Sequence, residues 1–461
     1  MTLRLLHFAD LEAAYDVPER VGRLATAVDT LRDDRTLVTG GGDNTGPSVL
    51  SMETDGSHAV ETFEAIQPTV DVFGNHEFDC DPGRAVRFAR ESPQTWLNAN
   101  LYEHDGERFA ADVTTPSTVV DTPAGRVGLF GLSPPDLCDI KPHLNYDVRD
   151  PVSVGTALAD SLRREQDADF VVAVSHCGDD TELAEAAAVD VILGGHDHAT
   201  RDEVVAGTRV VRPGPAGERL VEVRVDIHGP AGTTQTETVW HDVREFDPAS
   251  DLTNSLRDRL ASLGLDDVVT RVDGPLSRHV GDGASPVGTF VAAAFRRLGD
   301  ADVGLINSLT LRDCGVPLDG AVTRADLRSL VPFGGDLVTV ECSGADFRAV
   351  AREAAGAHLD RADPDWNGQF AGVELDWDPR TETVGEMRVG GERVRDDDSY
   401  TLTTIRYLVV EDVEFPTLTE AMVVDDPGEV HEAMATQAAI VGIPTESPDW
   451  LDRDTIERKT D

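Results

Sequence analysis

Short apolar runs alternate with amphipathic segments along about the first 245 residues, and this alternation restricts the possible fold more than any other feature of the sequence. Apolar side chains in Pro18–Leu31 recur at the 3.6-residue period of a helix, and His58–Ile66 is a second predicted helix. Strands interleaved with helices predict α/β layers, with a functional site on the loops beyond the strand ends. The predicted strands are Leu3–Phe8, Thr36–Thr39, Thr69–Phe73, Trp96–Leu101, Arg126–Leu132, Phe170–Ser175 and Val189–Leu193, followed by Val204–Val211 and Leu220–Ile227 as a closing hairpin.

A second domain is predicted after a change of pattern near residue 247. Pro248 to Asp251 offers residues that favour a helix N-terminus, so residues 248–264 are predicted to form a connecting helix between domains at 1–247 and 265–461. The predicted elements of the second domain are helices Val287–Leu298 and Arg324–Leu330 and strands Asp267–Val272, Asp302–Ile306, Leu337–Cys342, Gly372–Trp377, Glu386–Val389 and Tyr400–Ile405.

Five of the predicted strands are followed by Asp, Asn or His. Taken singly, such a residue is more often a capping or surface group than a ligand, but a set of five indicates a common site. Carboxylate, amide and imidazole ligands together suit Mn, Fe, Zn or Co, rather than the sulfur ligands of a structural zinc site. The candidate residues are Asp10, Glu12, Asp43, Asn75, His76, His176, His196 and His198.

The chain is strongly acidic, with 86 Asp and Glu against 40 Lys and Arg and a formal net charge of −46. This charge excludes a surface for a nucleic-acid polymer, because phosphate contacts require clustered basic side chains. It suits a protein solvated at high salt, where the screening length falls to about 3 Å at 1 M. We therefore expect a halophilic source, with an acidic mesophilic protein as the alternative.

Targeting signals are not apparent in the sequence. The N-terminus lacks a charged region followed by a long apolar stretch, and no segment reaches the roughly 18 apolar residues of a membrane span. The five cysteines show no C-x-x-C spacing. A cytoplasmic protein without a membrane partner is the expectation.

Sequence motifs in both halves resemble those of a known enzyme family. Asp10-x-Glu12, Gly42-Asp43, Gly74-Asn-His-Glu77, Ser175-His176 and Gly195-His-Asp-His198 resemble the successive motifs of calcineurin-like metallophosphoesterases. Ala284-Ser-Pro-Val-Gly288, Ile306-Asn307, Arg312-Asp313, Pro332-Phe-Gly334 and Ser343-Gly344 resemble the C-terminal domain of the 5′-nucleotidase family, which includes UDP-sugar hydrolases and 2′,3′-cyclic phosphodiesterases. The resemblance implies an N-terminal αββα metallophosphatase sandwich followed by a smaller α+β substrate-binding domain.

The resemblance also implies roles for the polar strand-end residues. Asp10, Asp43 and His198 would hold one divalent metal ion, and Asp43, Asn75, His176 and His196 would hold a second. Two such ions lower the pKa of a shared water and clamp the phosphate. His76 would protonate the leaving oxygen or stabilise charge on the phosphoryl group, and Asp79 would either orient His76 or cap a helix.

The first motif departs from the family pattern, because Glu12 stands where the family has histidine. As an anionic oxygen ligand, Glu12 would favour Mn over Zn. The alternative is that Glu12 lies outside the metal coordination. His7, within the first strand, is interpreted as a core residue and not as a substitute ligand.

The substrate-binding motif departs further. Asn307-Ser-Leu-Thr-Leu-Arg312 keeps the family's asparagine and arginine but lacks its glycines. Phe333 and Tyr407 match the aromatic residues that sandwich a base in the family, and two aromatic faces suffice to stack a flat group. The alternative for Phe333 is simple core packing.

The function implied by the resemblance is metal-dependent hydrolysis of a small phosphate ester, with a 5′-nucleotide as the expected substrate. Hydrolysis of a cyclic nucleotide or a nucleotide sugar is an alternative within the same chemistry. A nucleotide-binding protein with weakened catalysis is an alternative of another class. A nuclease conflicts with the acidity of the chain.

Overall fold

The computed structural model divides the chain into two compact units, Met1–Leu263 and Gly264–Asp461. It describes residues 2–54, 56–79, 81–141, 143–226, 235–280, 283–359, 366–378, 383–411 and 413–446.

Two large mixed sheets form the centre of the first unit. Its strands are β1 (Thr2–Phe8), β2 (Thr36–Gly40), β3 (Val70–Val72), β4 (Thr95–Leu97), β5 (Leu101–Tyr102), β6 (Thr114–Thr115), β7 (Ser117–Thr122), β8 (Gly125–Leu132), β9 (Asp147–Val148), β10 (Phe170–Ser175), β11 (Val191–Gly194), β12 (Arg201–Val205), β13 (Thr208–Arg212), β14 (Arg219–Asp226) and β15 (Gln235–Asp242). One sheet has the order β15-β14-β1-β2-β3-β4-β6, with β1 to β4 and β6 parallel. The other has the order β12-β13-β11-β10-β8-β7, with β8, β10, β11 and β13 parallel.

Helices flank the sheets of the first unit. They are α1 (Pro18–Leu31), α2 (Val49–Glu53), α3 (Ser57–Ile66), α4 (Pro82–Glu91), α5 (Leu137–Ile140), α6 (Pro151–Arg164), α7 (Thr181–Ala186) and α8 (Ser250–Ser262). α1 begins at proline, which suits a first helical position, and buries an apolar face that includes Val21, Leu24, Ala25 and Val28. α8 packs against α1 and contributes Leu256 to the same core, so the helix predicted as a connector lies within the first unit.

The layers of the first unit confirm the predicted αββα sandwich. Leu5 and Val72 of one sheet and Phe170 of the other belong to one buried core, which lies between the two sheets. Helices α1, α3, α4 and α8 share a core with the outer face of the first sheet. Helices α6 and α7 share a core with the outer face of the second. Nearly continuous apolar runs such as β10 are buried on both faces, as this layering requires.

A five-stranded sheet of order β20-β17-β24-β19-β25 organises the second unit. The strands of this unit are β16 (Val268–Leu276), β17 (Val303–Asn307), β18 (Leu318–Thr323), β19 (Asp336–Ser343), β20 (Gly368–Ala371), β21 (Val373–Asp378), β22 (Thr383–Val389), β23 (Glu392–Arg393), β24 (Ser399–Ile405) and β25 (Val423–Glu429), and the helices are α9 (Pro286–Leu298), α10 (Arg324–Arg328), α11 (Gly344–Glu353), α12 (Tyr407–Val410) and α13 (Val430–Val441). Helix α9 packs on β17, β20 and β24, and α13 packs on α9. The predicted α+β class is confirmed. No helix among the described residues of either unit is long and apolar enough to cross a membrane.

The predicted hairpin of Val204–Val211 with Leu220–Ile227 is wrong. Val204–Val211 contains the end of β12, a turn and most of β13, because Ala206 and Gly207 reverse the chain with φ of 50° and 100°. β13 pairs with β11 in one sheet, whereas β14 pairs with β1 in the other. Ile227 lies outside the described residues.

The single strand predicted over Trp96–Leu101 is also wrong, since β4 and β5 belong to different sheets. The buried Asn98 side chain ends the extended run. Its Nδ2 donates to the Phe109 carbonyl at 2.9 Å, and its Oδ1 accepts from the Leu101 N–H at 3.1 Å. A side chain that bonds to the backbone in this way favours a turn over a continuous strand.

Candidate metal centre

The predicted ligand side chains come together where five strands end. β1, β2 and β3 are parallel neighbours in one sheet, and β10 and β11 are parallel neighbours in the other. Their following loops contact each other through the backbone, since the Asp10 N–H donates to the Gly42 carbonyl at 3.0 Å and the Glu12 N–H donates to the Asp43 carbonyl at 3.3 Å. The centre therefore lies beyond the carboxyl ends of the strands, as predicted.

One ligand group consists of Asp10, Glu12 and His198, which each offer one atom within 4.8 Å of the others. Glu12 Oε1 lies 3.1 Å from His198 Nε2. Both carboxylates are buried, while the His198 side chain is 42% exposed, so this group reaches solvent on its histidine side.

A second ligand group consists of Asp43, His176 and His196, again within 4.8 Å of one another. His176 Nδ1–H donates to the Gly41 carbonyl at 2.5 Å, which directs Nε2 to Asp43 Oδ2 at 2.9 Å. Asn75 adjoins this group, with its Oδ1 3.0 Å from His196 Nδ1.

The two groups are neighbours. His176 Nε2 of the second group lies 3.9 Å from Asp10 Oδ1 of the first. The same Asp10 oxygen accepts a hydrogen bond from the His196 N–H at 3.0 Å. Two candidate sets of metal-ligating atoms are thus adjacent.

Several candidate ligands have a backbone conformation that L-residues rarely adopt. Asp10, Glu12, Asp43 and His196 have φ of 53°, 40°, 52° and 75°. Such residues cost about 1–3 kcal/mol each and persist where the surrounding structure holds them, which is common at functional sites. Gly74 is required for a steric reason, because a Cβ at this position would lie 2.2 Å from Asp43 Oδ1.

His76 lies beside both ligand groups. Its Nε2 is 3.7 Å from Glu12 Oε1 and 4.0 Å from Asp43 Oδ2, and its backbone N–H donates to Asp43 Oδ1 at 2.7 Å. On the other side of the ring, Nδ1 lies 2.9 and 3.0 Å from the two carboxylate oxygens of Asp79. The imidazole is therefore held with Nδ1 toward Asp79 and Nε2 toward the ligand groups.

Asp79 also pairs with a lysine that sequence reasoning did not assign to the site. Lys141 Nζ donates to Asp79 Oδ1 at 2.6 Å. Burial raises the pKa of Asp79, but the neighbouring His76 and Lys141 outweigh that effect and lower it to about 2. The helix cap considered for Asp79 is supplied instead by Asp81, whose side chain accepts from the Gly83 N–H at 2.9 Å.

Glu77 supports the loop that carries Asp43. It is fully buried and accepts four hydrogen bonds, from the N–H groups of Gly74, Asp43 and Asn44 at 2.7, 3.1 and 3.1 Å and from the Thr45 hydroxyl at 3.0 Å. Sequence reasoning gave Glu77 no role, because three of its partners, Asp43, Asn44 and Thr45, lie 34, 33 and 32 residues away on another loop.

His7 is a core residue, as expected. It is fully buried, with Nδ1 2.9 Å from the Thr39 hydroxyl oxygen and Nε2 3.0 Å from the Gly194 carbonyl. Burial lowers the pKa of His7 to about 4, so the imidazole is neutral and packs in the core.

The donor set fits divalent cations. Asp10 Oδ2 is buried and has no hydrogen-bond partner among the described residues, which is a costly arrangement for a carboxylate unless a cation occupies the position. Burial lowers the pKa of His196 to about 3, so its imidazole is neutral, which is the form that binds a metal ion. Burial raises the pKa of Asp10 to about 7, which disfavours the ionised carboxylate unless positive charge lies beside it. Carboxylate oxygen and neutral imidazole together suit metals of intermediate hardness.

The predicted substrate residues lie in the second unit in different environments. The Arg312 guanidinium lies over the Phe333 ring, 4.9 Å from its centroid, and both side chains are half-buried. Tyr407 is 37% exposed at the start of α12. Asn307 is buried, and its Nδ2 donates to both carboxylate oxygens of Glu414 at 3.0 Å. Asn307 therefore belongs to an internal polar network, while the other three side chains reach the surface of the unit.

Comparison with known proteins follows the two-unit division. Residues 3–200 match the model of the calcineurin-like phosphoesterases, and residues 268–420 match that of the 5′-nucleotidase C-terminal domain. Endonuclease YhcR of Bacillus subtilis is 23% identical over 444 residues, which cover 87% of this chain and 35% of YhcR. The chain thus spans about a third of the length of that relative.

Solved structures share the fold of both units. A 5′-nucleotidase precursor of Thermus thermophilus superposes with a TM-score of 0.83 at 20% identity, covering 97% of this chain and 98% of the other. The sulfate thiohydrolase SoxB of Thermus thermophilus, solved with glycerol, gives 0.77 at 19% identity and covers 96% of each chain. Domain content, domain order and fold agree, and the chain combines a calcineurin-like phosphoesterase domain with a 5′-nucleotidase C-terminal domain.

Proposed function

We propose that the protein hydrolyses phosphate monoesters with two divalent cations, and that a 5′-nucleotide is its substrate, giving a nucleoside and phosphate. The observation that carries the proposal is the adjacency of two ligand groups with a histidine beside both. The groups are Asp10, Glu12 and His198, and Asp43, His176 and His196, and the histidine is His76.

Each ligand group would hold one cation. Asp43 would serve both, as its carboxylate is central to the second group and also lies within 4.8 Å of Glu12 and His76 ligand atoms. Asn75 would join the second group through its Oδ1 beside His196. Glu12, which replaces the family's histidine, adds an oxygen donor and makes Mn the favoured metal. When bound, the cations supply a water of lowered pKa and neutralise phosphate charge.

His76 would act on the leaving group. Asp79 accepts from Nδ1–H, so the ring presents Nε2 to the region of the ligand groups. From there Nε2 would donate a proton or a hydrogen bond to the oxygen that separates from phosphorus. Asp79 would keep the ring in this orientation and stabilise its positive charge.

A nucleotide substrate is supported by relatives that are named 5′-nucleotidases and by the surface of the second unit. The 5′-nucleotidase precursor of Thermus thermophilus shares the fold of both domains. The half-buried Phe333 ring and the exposed Tyr407 provide aromatic faces suited to a base, and Arg312 is a cation suited to a phosphate. Endonuclease activity, for which YhcR is named, is disfavoured for this chain by its net charge of −46.

Metal dependence and substrate class are tested together. We expect purified protein in molar KCl with Mn²⁺ to release phosphate from AMP and from p-nitrophenyl phosphate, and EDTA to abolish the activity. Colorimetric phosphate assays over 5′-nucleotides, 2′,3′-cyclic nucleotides and UDP-sugars, each with Mn²⁺, Zn²⁺, Co²⁺ and Mg²⁺, give the measurement.

Several results of the screen contradict the proposal. Activity that survives complete chelation contradicts the metal mechanism, and preferential cleavage of a cyclic nucleotide or a UDP-sugar contradicts the proposed substrate. Nucleotide binding by calorimetry without turnover under any metal identifies a binding protein instead of an enzyme.

Stability is expected to depend on salt if the acidic chain comes from a halophile. At 0.1 M salt the screening length is about 10 Å, so carboxylates spread over the surface repel each other, whereas 1 M salt shortens it to about 3 Å. We expect the melting temperature to fall steeply, and secondary structure to be lost, as KCl is reduced from about 3 M to 0.1 M. Circular dichroism at each concentration measures this, and a melting temperature independent of KCl contradicts a halophilic source.

A further inference from the structure

Lys141 is the only lysine among the described residues, and it contacts the partner of His76. We propose that Lys141 is a positioning residue that holds the Asp79 carboxylate against His76, an inference that rests on the proposed hydrolysis. Lys141 Nζ is 2.6 Å from Asp79 Oδ1, and Asp79 in turn lies 2.9 and 3.0 Å from His76 Nδ1. Lysine, carboxylate and imidazole thus form a continuous chain that ends at the ligand groups.

The chain of contacts is shielded from solvent. The side chains of Lys141, Asp79 and His76 are 13%, 17% and 7% exposed. Ion pairs at this depth are screened much less than exposed ones. Lys141 is therefore able to fix the position of Asp79, which a solvated surface pair would not do.

The neighbouring segment provides a second anchor on the same motif. His143 Nε2–H donates to the Phe78 carbonyl at 3.1 Å, one residue before Asp79. Lys141 directly follows helix α5 and hydrogen-bonds back to it, since its N–H donates to the Leu137 carbonyl at 2.9 Å. Two contacts from one segment thus hold the 76–79 turn from the side opposite the ligand groups.

Lysine is rare in this chain, so its presence at position 141 in place of arginine calls for a physical reason. Only two of the 40 basic residues are lysines, so arginine is used almost everywhere that a cation is needed. A guanidinium presents a planar fork that binds both oxygens of a carboxylate, whereas an ammonium is a compact point charge. Lys141 binds Asp79 Oδ1 at 2.6 Å, and His76 Nδ1 lies 2.9 Å from the same oxygen and 3.0 Å from Oδ2. An arginine fork at this position would compete with the imidazole for both oxygens.

Lys141 also balances charge at a site crowded with carboxylates. Asp10, Glu12 and Asp43 lie in the ligand groups, and Asp79 would add a further negative charge beside a phosphate substrate. Pairing with the ammonium offsets that charge while leaving Asp79 an ionised acceptor for Nδ1–H of His76. Substitution of Lys141 should therefore affect turnover more than metal binding.

The test compares variants of the full chain with p-nitrophenyl phosphate and Mn²⁺ in molar KCl. Lys141→Met is expected to lower kcat on the order of 10- to 100-fold, because loss of an outer partner that orients an imidazole has an effect of this size. KM and the amount of bound metal should not change. Lys141→Arg should recover only part of this loss, because its fork engages both oxygens. In the Asp79→Asn background, Lys141→Met should lower kcat no further, because Lys141 acts through Asp79.

Arg163→Met is the matched control. It also removes a partly buried ion pair, between Arg163 and Asp190, which lies away from the ligand groups. It should leave kcat unchanged, and melting curves should show every variant folded at the assay temperature. Three outcomes overturn the role of Lys141 but not the proposed function. They are an unchanged kcat in Lys141→Met, full recovery of kcat by Lys141→Arg, and a further loss of kcat when Lys141→Met is added to Asp79→Asn. Wild-type protein without hydrolytic activity overturns the proposed function and the role of Lys141 with it.

Discussion

Replacing Asp43 with alanine is expected to remove bound metal and to reduce phosphate release to the level of the EDTA-treated wild-type protein. The Asp43 carboxylate lies 2.9 Å from His176 Nε2 and accepts the His76 N–H at 2.7 Å, so it joins the second ligand group to the proposed acid. It is buried, and alanine supplies no donor in its place. Metal content by mass spectrometry and phosphate release measure the two effects.

Two further variants make the Asp43 result specific. Asp43→Asn keeps the shape and an acceptor for the His76 N–H but removes the charge, and it should also bind metal poorly. Asp112→Ala is the control, because Asp112 is an exposed partner of Arg90, and such surface pairs contribute about 0–1 kcal/mol. Full metal occupancy in Asp43→Ala contradicts the assignment of Asp43 as a shared ligand.

Replacing His76 with alanine is expected to lower kcat about 10²- to 10⁴-fold while bound metal is retained. The ring lies beside both ligand groups, and its Nε2 is 3.7 Å from Glu12 Oε1, whereas its Nδ1 is occupied by Asp79. Loss of a positioned proton donor has an effect of this size. The decisive comparison is kcat against metal content on the same preparation.

The histidine control is His104, which is 52% exposed and pairs with Asp147. His104→Ala should change neither kcat nor metal content. If His76→Ala loses its metal along with its activity, His76 is a ligand and the proposed division of roles is overturned.

The grouping of the polar strand-end residues was predictable in part from local rules. Parallel strands place their carboxyl ends at one edge of a sheet, so residues after β1, β2 and β3 were expected to lie together, as were those after β10 and β11. The amphipathic period likewise identified α1 with its observed bounds. Predicting these features requires only short segments of sequence and the direction of each strand.

Features that depend on distant partners were not predictable in this way. β13 and β14 have similar apolar alternation, and nothing local states that one pairs with β11 and the other with β1. Lys141 lies 62 residues from Asp79 in a segment without a chemical motif, and only the rarity of lysine marks it. Asn307 matched a family position, but its burial beside Glu414 depends on a residue 107 positions away.

The left-handed backbone at Asp10, Glu12, Asp43 and His196 also affects the folding of the first unit. Each such residue costs about 1–3 kcal/mol, and the buried carboxylates add to that cost. Cations that bind only the folded chain offset it, by about 4 kcal/mol at a thousand times their dissociation constant. We therefore expect the fraction of folded protein to rise with the concentration of divalent metal, independently of the effect of the metal on turnover.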